Sequence, residues 1–135
     1  MPYNVEEIEG IGSAYAERLL KVGIKTTGDL LKQGLTKKGR EMIAARTEIP
    51  ESLVLTWVNH ADLMRIKGVG GQFAELLQAA GVLSVRDFAK RKADDLHNRL
   101  MEVNSEFGLT GRVPSAESLQ EMIQQAKLLD PVEIK

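Results

Sequence analysis

Four glycines, arranged as two spaced pairs, are the residues of this chain best placed to do chemistry. Gly10 and Gly12 stand in Ile8-Glu9-Gly10-Ile11-Gly12, and Gly68 and Gly70 stand in Ile66-Lys67-Gly68-Val69-Gly70, each just ahead of a run with helical apolar spacing. Exposed main-chain N–H groups at a helix N-terminus bind anions, so the chemistry on offer is binding rather than bond breaking. Ser13 and Gln72 are the side-chain donors nearest the two pairs. Glu9 puts a carboxylate inside the first, where Lys67 puts an ammonium inside the second. A plainer reading is equally open: the glycines permit a turn and a close approach of two helices, and do nothing else.

No catalytic constellation accompanies them. The chain has no Gly-x-Ser-x-Gly elbow, no phosphate loop ending in Gly-Lys-Ser/Thr and no His-Glu-x-x-His. Gly68-Val69-Gly70-Gly71 is not a dinucleotide fingerprint, which needs a preceding strand and a later third glycine. His60 and His97 stand alone, without a second histidine or a carboxylate cluster at ligand spacing, and there is no cysteine. A non-enzymatic protein without metal or cofactor is expected.

The elements that must hold the turns are written twice. At a constant offset of 58, Gly10, Gly12, Ala16, Glu17, Leu19, Gly23 and Asp29 meet identical residues at 68, 70, 74, 75, 77, 81 and 87. Such duplication is read before anything else. Apolar spacing is helical nearly throughout, so the fold class is all-α. In the first repeat a short helical entry over Val5-Ile8 leads to the Gly10-Ile11-Gly12 hairpin. A helix over Ser13 to Val22 turns Ala16, Leu19 and Leu20 inward, and Gly23 stops it in the left-handed C′ position. Thr26 and Ser84, each three residues before an aspartate, mark the next helix starts. Helices over about Lys37 to Arg46 and Glu51 to Met64 follow, with Pro50 fitting the first turn of the latter. In the second repeat they correspond to helices over about Ala93 to Phe107 and Ser115 to Leu129. The closing helices align at an offset of 65, a seven-residue insertion in the loop holding Gly108, Gly111 and Pro114. The organisation expected is a first unit over 1–64 and a second over 65–135, joined in one compact globular body.

The pattern of apolar-x-Gly-apolar-Gly, followed by Ala at the fourth position and Leu at the seventh, resembles the helix-hairpin-helix motif, closely over residues 8–31 and 66–89. The whole chain also resembles an uncharacterised bacterial family of small stand-alone tandem helix-hairpin-helix proteins, through Trp57-Val58-Asn59, Ala61 to Gly70 and Glu102-Val103-Asn104. The resemblance implies a pair of hairpins about a pseudo-two-fold axis, with hairpin amides pointing outward. In DNA-binding members those amides contact backbone phosphates, a contact that carries no sequence information. The sites carried over are Gly10, Gly12, Ser13, Lys67, Gly68, Gly70, Gly71 and Gln72. Members that grip phosphate often carry Lys, Arg or Thr just after the second glycine; here those places read Ser13-Ala14-Tyr15 and Gly71-Gln72-Phe73. The second hairpin, with Lys67, is the stronger candidate.

Bulk charge gives this little help. The net charge is −1, and the halves are balanced: residues 1–65 hold nine Lys/Arg against nine Asp/Glu, and residues 66–135 nine against ten. A nucleic-acid binder normally shows a positive excess. Local clusters at Lys37-Lys38-Arg40 and at Arg86 with Lys90-Arg91-Lys92 are either supplementary charge for the hairpins or solvated helix ends. Ile43 to Val58 has helix-turn-helix spacing, but the stretch that would read DNA, Glu51 to Trp57, offers no Arg, Lys, Asn or Gln to base edges. Trp57 lies on an apolar stripe, and Tyr15 and Phe73 are equivalent. No run is long and apolar enough to span a membrane, and Met1-Pro2-Tyr3-Asn4 does not open like a signal peptide, so no membrane partner and a cytoplasmic location are expected. Two functions follow as expectations: weak, sequence-independent DNA binding through hairpin amides, or a protein-interaction scaffold using the same hairpins and the surface near Trp57.

Overall fold

A computed structural model describes residues 3–135; Met1 and Pro2, where the first unit and the N-terminal reading begin, lie outside them. Among the described residues all regular elements are helical. A 3-10 turn, Val5–Glu7, precedes α1 Ser13–Lys21, α2 Thr27–Gln33, α3 Lys37–Thr47, α4 Glu51–Leu63, α5 Gly71–Ala79, α6 Val85–Phe88, α7 Ala93–Phe107 and α8 Ala116–Leu128. The fold is all-α, with one isolated bridge between Asn4 and Thr26.

Duplication in sequence becomes duplication in backbone. Gly10 and Gly68 have φ of 95° and 94°, values that a side chain rarely tolerates, which is why both turns need glycine there. Each turn closes with one bond, from Ile11 N–H to Ile8 O at 3.1 Å and from Val69 N–H to Ile66 O at 3.0 Å. After α1 and α5 the chain leaves by the same route, Ile24 N–H donating to Leu19 O and Val82 N–H to Leu77 O across Gly23 and Gly81. The match reaches upstream of the identical residues. Glu7 and Ile8 N–H donate to Asn4 and Val5 O, as Arg65 and Ile66 N–H donate to Asp62 and Leu63 O. The second repeat therefore starts inside the last turn of α4.

Packing follows the same plan twice. In the first half α1 lies on α3, and α2 and α3 lie on α4; in the second α5 lies on α7, and α6 and α7 lie on α8. Helices α4 and α5 join the halves, and one apolar core runs through both, from Ile8, Leu19 and Trp57 to Leu77, Phe88 and Ile123. Asp62 fastens the junction. Its buried carboxylate accepts Val85 N–H at 2.9 Å and Arg65 Nη1 at 2.8 Å, so the end of α4 also caps the start of α6. His60, on the same helix, is buried with neither ring nitrogen hydrogen-bonded. Burial pushes it below its ordinary pKa, opposed in part by the Gln78 side chain.

Several expectations are corrected. Leu20 is 56% exposed rather than inward, because the stripe of α1 is filled by Ala16 and Leu19, and its equivalent is the polar Gln78. Pro50 is the N-cap of α4, with φ −56° and ψ 136°, and not part of its first turn. The offset of 65 holds at Trp57 with Met122 and Val58 with Ile123, but Leu128 is 86% exposed where Leu63 is fully buried. The helix-turn-helix spacing does yield a sharp bend, with Glu48 left-handed at φ 58°. Yet α4 is the central core helix, its Val54, Trp57, Val58 and Ala61 all buried, and no such helix can enter a DNA groove.

Candidate functional site

Both turns end in a helix that opens without a side-chain cap. Gly12 and Gly70 are the N-caps of α1 and α5, at φ −86°, ψ −177° and φ −93°, ψ −172°. Lacking a side chain, neither covers the N–H groups that follow. Among the described residues no protein acceptor takes the N–H of Gly12, Ser13, Ala14 or Tyr15, nor of Gly70, Gly71, Gln72 or Phe73; the first bonds of the helices are those of Ala16 and Ala74. Gly10, Gly12, Ser13, Lys67, Gly68 and Gln72 are exposed, and Gly70 and Gly71 half-buried.

The two turns touch. A Cβ at Gly71 would collide with the Glu7 carbonyl and lie 3.4 Å from Glu9 N, so the first residue of α5 rests on the backbone of the first turn. The structure thus gives Gly71 a packing reason of its own. Closing helices back the turns in a matched way: a Cβ at Gly10 would meet Trp57 Nε1 at 3.6 Å, and one at Gly68 would meet Met122 Cε at 3.1 Å. On the second turn Gln125 Oε1 accepts Lys67 N–H at 2.6 Å, which removes one donor from solvent. Tyr15 packs edge-on against Trp57 at 5.2 Å under the Arg18 guanidinium, and its equivalent Phe73 is buried, so neither is a free stacking platform.

Electrostatics at the contact are mixed. Partial burial and the neighbouring Glu9 carboxylate raise the pKa of Glu75, which places two acids where the turns meet. Lys67 is exposed and, among the described residues, makes no ion pair. Two members of the basic clusters are committed internally. Arg40 is 4% exposed and donates to Gly34 O and Leu35 O; Arg91 donates to Asp87 and to Gly81 O. Arg40 is therefore no solvated cation, and Arg91, a third exposed, is already paired with Asp87.

Sequence reasoning brought the eight site residues to the two turns but missed Gln125, Glu75 and the contact at Gly71. Gln125 sits at the offset-65 equivalent of His60, and that weaker alignment gave no reason to look there. Among the described residues no group of three or more His, Asp or Glu side chains gathers at metal-binding distance, and no helix is long and apolar enough to cross a membrane.

This is a duplicated all-helical protein whose halves meet at two glycine turns. The chain belongs to the family described as "Domain of unknown function (DUF4332)", whose model matches residues 9–129. It is also similar to the poly(3-hydroxyalkanoate) polymerase subunit PhaC of Haloferax mediterranei, 42% identical over 57 residues. That stretch is 42% of this chain and 11% of the polymerase subunit. No solved structure matches.

Proposed function

We propose that the chain is a non-enzymatic tandem helix-hairpin-helix module, its hairpins paired about a pseudo-two-fold axis, that binds DNA weakly and without sequence preference. Main-chain N–H groups of Gly12 to Ala14 and of Gly70 to Gln72 contact backbone phosphates, and Lys67 makes the second hairpin the stronger contact. One observation carries this reading: two touching turns each present a helix N-terminus whose first N–H groups lack any protein acceptor. Unpaired donors at the positive end of a helix dipole suit phosphate oxygens. The Glu9 and Glu75 carboxylates keep affinity low.

Fluorescence anisotropy with a labelled duplex at low salt tests the proposal. With roughly two to four phosphates neutralised, the log–log salt slope is about −2 to −4. Gly12→Ser with Gly70→Ser sharpens the experiment. Both positions have open space around a Cβ and extended backbone, so serine caps the helix, covers an N–H group and lowers DNA affinity without loss of fold. Absence of binding at high micromolar protein defeats the reading.

A second reading, a protein-interaction scaffold, is favoured by a different observation. A stretch about one repeat long is similar to part of a poly(3-hydroxyalkanoate) polymerase subunit, which is what a portable docking unit would produce. A pull-down yielding one nuclease-resistant, stoichiometric protein partner supports this reading over DNA.

A further inference from the structure

Beyond α8 the chain runs extended and turns back onto the first half. Leu129 leaves the helix at φ −76°, ψ 146°, and from there exposure alternates: Val132 and Ile134 are half-buried against the core, whereas Pro131, Glu133 and Lys135 are exposed. That alternation is the signature of an extended segment reading a surface with every second side chain. Its main chain is held at both ends. Arg65 Nη2 donates to Asp130 O at 2.6 Å, Lys135 N–H donates to Leu35 O at 2.9 Å, and Arg40 Nη2 donates to Lys135 O.

Arg40 explains why something must lie there. Its guanidinium is buried, Nη1 is satisfied by Gly34 O and Leu35 O, and Nη2 is answered by an oxygen from 95 residues away. Nε has no hydrogen bond, the Glu51 carboxylate standing 3.8 Å off. With the segment gone, Nη2 loses its protein acceptor while Nη1 stays held by Gly34 O and Leu35 O, so the guanidinium is oriented to receive another main-chain oxygen. Beside the segment a cavity of about 350 Å³ remains, with Leu55, Asn59, Leu83 and Ser84 on one wall and Val132, Ile134 and Lys135 of the segment itself on the other.

We propose that the groove occupied by Val132 and Ile134 against the core, with the Leu35 and Arg40 main-chain contacts at its end, is a binding site for an extended peptide of the form apolar-x-apolar-x, closed in cis by residues 130–135 of the chain itself. Arg40 and Leu35 read main chain, the groove reads alternate apolar side chains, and the exposed side chains of Glu133 and Lys135 leave the intervening positions unconstrained. A peptide arriving from another molecule competes with a tethered segment whose effective concentration is in the millimolar range, about 1 mM or above, so the closed chain resists it.

The test uses the full chain carrying Val132→Asp and Ile134→Asp, which frees the segment in place, and a fluorescein-labelled peptide copying residues 129–135. The opened chain is expected to bind this peptide at least about tenfold more tightly than the unmodified chain, as the tethered competitor is removed. Adding Arg40→Lys, which keeps the charge but loses the fork, should cost roughly tenfold in affinity. A peptide with Ile134→Asp should not bind. Should the double variant fail to fold by circular dichroism, Ile134→Ala carries the same comparison. Equal binding of the peptide by opened and unmodified chains, or equal binding of the Ile134→Asp peptide, overturns the proposal.

Discussion

A methyl group at Gly71 has nowhere to go, because the Glu7 carbonyl occupies its place, while one at Gly12 meets nothing within 4 Å. Gly71→Ala is therefore expected to destabilise the fold by about 1–3 kcal/mol, read as a lowered melting temperature, and Gly12→Ser to leave stability level or slightly higher. Equal effects would contradict the contact between the turns. Glu75 makes a pH-dependent prediction at the same place. Its pKa is raised in the folded chain by partial burial first and by Glu9 second. The folded state thus holds this proton more tightly than the unfolded state. Its contribution is fully present below the usual carboxylate range and is lost as pH rises through the raised value. Glu75→Gln should raise the melting temperature at pH 7 and give no gain at pH 3. A gain that persists at pH 3 would show that charge is not the cause.

Helix starts were the elements most legible in the sequence. Thr26 Oγ1 accepts Asp29 N–H at 3.1 Å while Asp29 Oδ2 accepts the N–H groups of Lys25 and Thr26 at 3.0 Å, and Ser84 Oγ accepts Asp87 N–H at 3.0 Å. Local chemistry dictates such caps, and three residues suffice to see them. Thr26→Ala should cost about 1 kcal/mol in chemical denaturation. The backbone N–H groups of Lys25 and Thr26 also hold the Asp29 pKa below 3.8, so its contribution exists above that pH and fades as pH falls. The glycine turns were legible for the same local reason. Arg40, Leu20 and Leu128 were not. Whether a basic residue beside Lys37 and Lys38 points to solvent or into a groove depends on a main-chain oxygen 95 positions away, which no local spacing encodes. Leu20 and Leu128 keep helical spacing, but the stripes they extend run past the edge of the core.

At the scale of the molecule the two repeats are not independent bodies. One core crosses the junction, Asp62 ties α4 to α6, and residues 130–135 return to the α2–α3 bend. Trp57 is the sole tryptophan and is buried in the first half, so its fluorescence reports there, while far-UV circular dichroism reports on all helices. The two signals should lose structure in one coincident urea transition. Separate midpoints would mean that the halves unfold apart. Duplication was visible in the sequence because glycines at turns and leucines in stripes are held by local geometry; the contact between the turns was hidden, since it joins residues 7–9 to residue 71 across the core.

On the proposed function, unpaired N–H groups at two touching glycine turns receive backbone phosphate. Amide chemical shifts of the labelled chain, followed by NMR while a short DNA duplex is added at low salt, test it most directly. The largest shifts are expected at Gly70, Gly71 and Gln72, smaller ones at Gly12, Ser13 and Ala14, all reversed by added salt. Unmoved amides at both turns, with or without shifts elsewhere, would contradict it.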